Sequence, residues 1–141
     1  MDTTYTTDAV TIDLRLPRAA DAAGMARRSL DAVRHRMDAV RYDDLRLLVS
    51  ELVTNSVLHA GLDTRSWVGI WCHVDPRVTR VEVTDPGSAR LPEPRLPDPD
   101  DVSGRGLYMV RSLADRWGVA SDGATRVWFE LDTGARRDSL V

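Results

Sequence analysis

The chain has 141 residues, 43% apolar and 29% charged, the proportions of one water-soluble globular domain with a single core. Its formal charge of −3 excludes a general electrostatic pull toward nucleic acid or acidic membranes, and because all 19 basic residues are arginine, phosphate contacts must come from Arg, backbone N–H groups or a metal. The single cysteine, Cys72, excludes an internal disulfide and a multi-cysteine zinc site, and it fits a reducing cytoplasm.

The opening "MDTTYTTDAV" has neither a basic n-region nor an apolar h-region, and no apolar run approaches membrane-spanning length. The expected setting is therefore cytoplasmic, with no membrane and no direct nucleic-acid contact. "AVTIDLRL" alternates apolar and polar residues from Ala9 to Leu16 and predicts a half-buried strand that Pro17 ends. From Asp21, a plausible N-cap, to Met37 the apolar residues Ala22, Met25, Ala26, Leu30, Val33 and Met37 recur at helical spacing. A second helix is predicted from Tyr42 and Asp43 to Ala60, with Leu45, Leu48, Val49, Leu52, Val53, Ser56 and Val57 as its core stripe and Gly61 as its stop.

Two strands follow, Trp67–Val74 and Val78–Asp85, joined by the tight turn "DPR". The stretch from Pro86 to Gly106 then carries five prolines and the acidic residues Glu93, Asp98, Asp100 and Asp101, with neither a helical nor a strand period. Its part from about 87 to 103 reads as a long binding loop or lid. A third helix, "LYMVRSLADRW", starts near Gly106, and "GVAS", "DG" and "TRVWFEL" close the chain as a hairpin before a frayed tail, 133–141. There is no internal repeat and no linker. One domain over 1–141, with its core at about 9–131, is the expectation. Runs of adjacent strands predict an α+β two-layer sandwich: a mixed, mostly antiparallel sheet with three helices on one face.

Four places carry chemistry. Glu51, Asn55 and His59 stand four residues apart in "SELVTNSVLHAG", so they lie in one row on the second helix. Such a row is either a polar margin between core and solvent or the wall of a cleft. In a cleft an Asn oxygen suits Mg²⁺, and a Glu one turn away suits ordering or deprotonating a nucleophile. His59 receives no chemical role. "VEVTDPGS" ends a strand at Asp85; on its own Asp-Pro-Gly is a turn, whereas a buried carboxylate there would accept from an exocyclic amine such as adenine N6, with Gly87 allowing close approach. "SGRGL", Ser103 to Leu107, opens the third helix. Either it is an ordinary helix start, or Gly104 and Gly106 turn backbone N–H groups toward an anion with Arg105 adding charge. Thr125 enters the last strand as a β-branched residue, or hydrogen-bonds a base.

Taken in order, Glu-x-x-x-Asn on a helix, Asp-x-Gly after a strand, Gly-x-Gly opening a helix after a long loop, and Thr on a late strand resemble the GHKL ATP-binding (Bergerat) fold over about Ala9 to Leu131. In that family "ELVTNSVLHA" looks like the N box, "DPG" the first glycine box and "SGRGL" the second; position 89 is Ala where the wider family often has a second glycine. The length of an ATP-binding domain alone, with "SELVTNSVLHA" and the closing "TRVWFEL", is most similar to the small anti-sigma-factor serine/threonine kinases. "VRHRMDAV" around His35 does not look like a phosphoacceptor signature. The resemblance implies ATP and Mg²⁺. It implies Asn55 as the metal ligand and Glu51 as the residue that orients or deprotonates a substrate hydroxyl. Asp85 would select adenine, Gly87 would give close approach, Ser103 to Leu107 would take the phosphates, and Thr125 would support the base. It further implies a sigma factor or its protein antagonist as partner, and a homodimer. Two alternatives remain at this point: a regulatory module that binds ATP without transferring phosphate, and a detached histidine-kinase catalytic domain.

Overall fold

Side chains that alternate along Val10–Pro17 force this stretch to present Val10, Ile12, Leu14 and Leu16 to one side, and it forms strand β1. It pairs antiparallel with β2 (Trp67–Val74), from Val10 against Val74 to Pro17 against Trp67. The computed structural model describes residues 9–59, 66–86 and 105–134, with the backbone alone for His59, Arg105 and Gly106. β2 turns into β3 (Val78–Asp85) at Asp75, whose Oδ1 accepts from the backbone N–H groups of Arg77 (2.7 Å) and Val78 (2.8 Å). That local acceptor is what makes "DPR" a tight turn.

Two further strands, β4 (Arg116–Ser121) and β5 (Thr125–Asp132), complete a sheet in the order β1-β2-β3-β5-β4. Gly123, at φ 94°, supplies the left-handed residue of their turn. Every strand pairing among the described residues is antiparallel, which corrects the expectation of a mixed sheet. The reason is the position of β5. β3 and β4 run the same way, as strands joined across a helix do, but the last hairpin lays β5 between them.

The helices are α1 (Ala22–Ser29), α2 (Ala39–His59) and α3 (Arg105–Leu113), layered on one face of the sheet, with α2 packed on α1, α3, β2 and β3. The first predicted helix is shorter than its apolar period. From Leu30 to Arg36 it tightens into a 3-10 segment, where residues three apart eclipse. Leu30 and Val33 have that spacing and both are fully buried. Asp21 does not cap α1 with its side chain; its backbone carbonyl accepts from Met25 N–H instead. Instead a side-chain cap lies ahead of α2, where Asp38 Oδ1 accepts from Arg41 N–H at 2.8 Å, so the helix starts four residues before Asp43. Gly61 lies outside the described residues. α3 ends at Leu113, so Trp117 belongs to β4 rather than to the helix.

The core lies between the layers. Leu45, Leu48, Val49, Leu52 and Val53 of α2 meet Val68, Ile70 and Cys72 of β2, Val81 and Val83 of β3, and Phe129 of β5. Each such aliphatic side chain, fully buried, contributes about 1.5–3 kcal/mol. No helix among the described residues is long and apolar enough to cross a membrane.

Candidate functional site

Asp85 and Thr125 stand far apart in sequence, yet the β3–β5 register places them directly opposite each other at the end of both strands. Both share the strand parity of the buried Val83 and Val127, so they face the helix layer. Thr125 is buried, and the Asp85 side chain is 14% exposed. A carboxylate at that depth needs donors, and two neighbours supply them. Ser56 Oγ, on the core-facing side of α2, donates to Asp85 Oδ2 at 3.1 Å, and Arg18 Nη2 reaches the same oxygen at 3.4 Å. The end of β3, the start of β5, the C-terminal half of α2 and the exit of β1 therefore converge on one acidic group.

Ser56 and Arg18 are the residues that sequence reasoning missed as part of this site. Ser56 belongs to the predicted core stripe, and it is buried there. Its signal was available: a hydroxyl inside an apolar stripe has to find a partner. Arg18 carries no comparable local signal.

On α2, Asn55 immediately precedes Ser56 and Glu51 lies one turn before it; both are half-buried. The row of Glu51 and Asn55 thus runs beside the helix edge that holds Asp85. The His59 side chain lies outside the described residues. So do Gly87, Ser103 and Gly104. Arg105 and Gly106 form the first turn of α3, and Leu107 after them is buried at 2% exposure, anchoring that turn to the core. The other end of α3 is held by Arg41 of α2. Its Nη1 donates to the Leu113 carbonyl (3.4 Å) and to Asp44 (3.3 Å), and its Nη2 to Asp115 at 2.9 Å. Asp115 in turn accepts from Asp132 N–H at 2.7 Å. α3 is therefore fixed against α2 and β5 at its C-terminus.

Burial pushes the Cys72 thiol up to about 12. Burial and the hydrogen bond to Asp31 raise the Tyr42 phenol. Glu130, on the open sheet face, is lowered by its hydrogen bonds from Arg116 and Arg80. Among the described residues no group of three or more His, Cys, Asp and Glu side chains is placed to hold a metal ion.

The chain matches the family described as "Histidine kinase-like ATPase domain" over residues 16–131. An uncharacterized protein of Streptomyces coelicolor is 40% identical over 81 residues, which is 55% of this chain and 74% of that protein. A crystal structure of the RsbU and RsbW domains of a Mycobacterium tuberculosis protein superposes with a TM-score of 0.67 at 17% identity, covering 88% of this chain. This chain spans 32% of that one.

Proposed function

The chain belongs to the histidine kinase-like ATPase domain family, and from that premise we propose that it is an ATP-binding regulator of the anti-sigma type, with serine/threonine kinase activity toward an antagonist protein. The family match supports ATP binding as its biochemical core. The observation that carries the reading is the Asp85 carboxylate, recessed between β3 and α2 and opposite Thr125. A partly buried acceptor of this kind suits the exocyclic amine of adenine. A superposable neighbour described as carrying an RsbW domain supports the anti-sigma branch.

In this reading Asn55 would hold Mg²⁺ through its side-chain oxygen, a donor that suits this hard cation, and the ion would neutralise phosphate charge. Glu51, one turn away, orients or deprotonates the hydroxyl of the substrate serine or threonine. Thr125 supports the base beside Asp85, with Gly87 allowing close approach. Ser103, Gly104, Arg105, Gly106 and Leu107 form the phosphate end. Phosphoryl transfer depends mainly on positioning and charge neutralisation, so a set this small suffices. The sigma factor and its antagonist are the partners, a homodimer is the assembly, and the cytoplasm is the compartment of this proposal.

Purified protein, γ-labelled ATP and candidate antagonist domains test it. Acid-stable phosphate on a partner serine or threonine is expected, and Glu51→Gln should slow its formation by roughly 10²-fold or more while ATP still binds. An acid-labile product would indicate histidine phosphorylation instead. Label transfer that Glu51→Gln leaves unchanged would remove Glu51 from the reaction.

A further inference from the structure

Arg18 follows β1 directly, a position from which an arginine ordinarily extends into water. Its side chain is instead 3% exposed, a state charged residues reach only when paired. Nε and Nη2 donate to the Ser56 carbonyl at 3.1 and 2.8 Å, Nη1 donates to Ser66 Oγ at 3.2 Å, and Nη2 also meets Asp85 Oδ2 at 3.4 Å. The Arg18 backbone N–H adds a bond to the Ser66 carbonyl at 3.1 Å. One planar fork therefore ties α2, the entry to β2 and the exit of β3. The shortest contacts are to the Ser56 carbonyl, so the helix places the guanidinium, which from there also reaches Asp85.

Stability alone does not account for this arrangement. Desolvating two charges roughly cancels their attraction, and apolar residues of the same volume commonly serve a fold as well. What a buried fork supplies is fixed geometry, since five donors in one plane leave their acceptors little angular freedom. Ser56 contributes to both ends of the arrangement, its carbonyl holding Arg18 and its hydroxyl holding Asp85.

We propose that Arg18 is the positioning residue of the adenine site: it holds the Asp85 carboxylate in the orientation that accepts the 6-amino group, and so sets selectivity for adenine by acting through Asp85. This rests on the assignment of Asp85 made above. Arg18 would be a specificity determinant supplied by the residue after β1, outside every motif that marks the site in the sequence.

The test is the ratio of affinities for ATP and for purine riboside 5′-triphosphate, which is ATP without its 6-amino group. Titration calorimetry measures it on the native protein, Arg18→Met and Arg18→Lys, with circular dichroism to establish that each is folded. The native protein should prefer ATP. Arg18→Met should lose about tenfold in ATP affinity, the scale of one charge-assisted hydrogen bond, and little for the analogue, so the preference collapses. Arg18→Lys keeps a cation but not the fork and should narrow the same ratio; it carries the test alone if Arg18→Met does not fold. A variant that weakens both nucleotides by one factor, leaving the ratio intact, would show a structural role only and overturn the inference. A native protein with equal affinity for the two nucleotides would instead overturn the Asp85 assignment itself.

Discussion

Ser56 and Cys72 are small side chains of similar volume, both inside the apolar layer, and burial acts on them in opposite ways. The Ser56 hydroxyl is held by a carboxylate and becomes part of the site. The Cys72 thiol, fully buried among aliphatic neighbours, has its ionisation pushed up to about 12. A raised native value means that the folded chain keeps this proton where the unfolded chain releases it. The associated stability is complete below about pH 9 and is lost between there and pH 12, at no more than about 1.4 kcal/mol per pH unit. The chain has no lysine to titrate in that window, and Tyr42, also raised, adds a loss of the same sign. Denaturant midpoints of the native protein and Cys72→Ala across pH 8–11 should therefore converge as pH rises, the native protein declining more steeply. Parallel profiles would contradict the burial argument. In the native protein the thiol should also resist a thiol-reactive dye at neutral pH and react on unfolding, because only the thiolate attacks.

Element boundaries turn on single polar contacts. α2 begins at Ala39 because Asp38 takes the Arg41 N–H, and Asp38→Ala should lower stability by about 1 kcal/mol, read as a reduced thermal midpoint at pH 7. An unchanged midpoint would mean that this cap does not hold the helix start. The core stripe of α2 was legible because Leu45, Leu48, Val49, Leu52 and Val53 keep a helical period, and all five are buried. Its first turn was not, because Val40 is 71% exposed and the apolar period only begins at Tyr42. The end of α3 was misread for a related reason. Trp117 suits a helical stripe and a strand alike, and the deciding bonds, from Arg41 and Asp132 to Asp115, come from elements remote in sequence. On the open side of the sheet Arg15 lies 4.1 Å over Trp67 and Arg80 lies 4.3 Å over Trp128. Cationic stems thus shield aromatic rings on the face that carries no helix.

At the scale of the molecule the two layers do one job for the proposed function: they bring the end of β3, the start of β5 and the flank of α2 to a single point. Asp85, Thr125 and the Glu51–Asn55 row stand out in the sequence as candidates because each belongs to a short local pattern, and their order along the chain carries the family resemblance that the family match bears out. Arg18 does not, since its contacts lie 38, 48 and 67 residues away and depend on the sheet having formed. The strict antiparallel order was likewise hidden, because it follows from where the last hairpin inserts. In the proposed function this convergence reads adenine. A site built around a hydrogen bond to an amine strongly rejects a ligand that presents an acceptor instead, and guanine offers its O6 where adenine offers its amine. Titration calorimetry with ATP and GTP in the presence of Mg²⁺, on the native protein and on folded Asp85→Asn, measures this directly. ATP should bind and GTP should bind far more weakly, and Asp85→Asn should cost ATP about 1.5–3 kcal/mol. Equal affinity of the native protein for the two nucleotides would contradict the adenine site, and with it the reading of Asp85 as the centre of the fold's function.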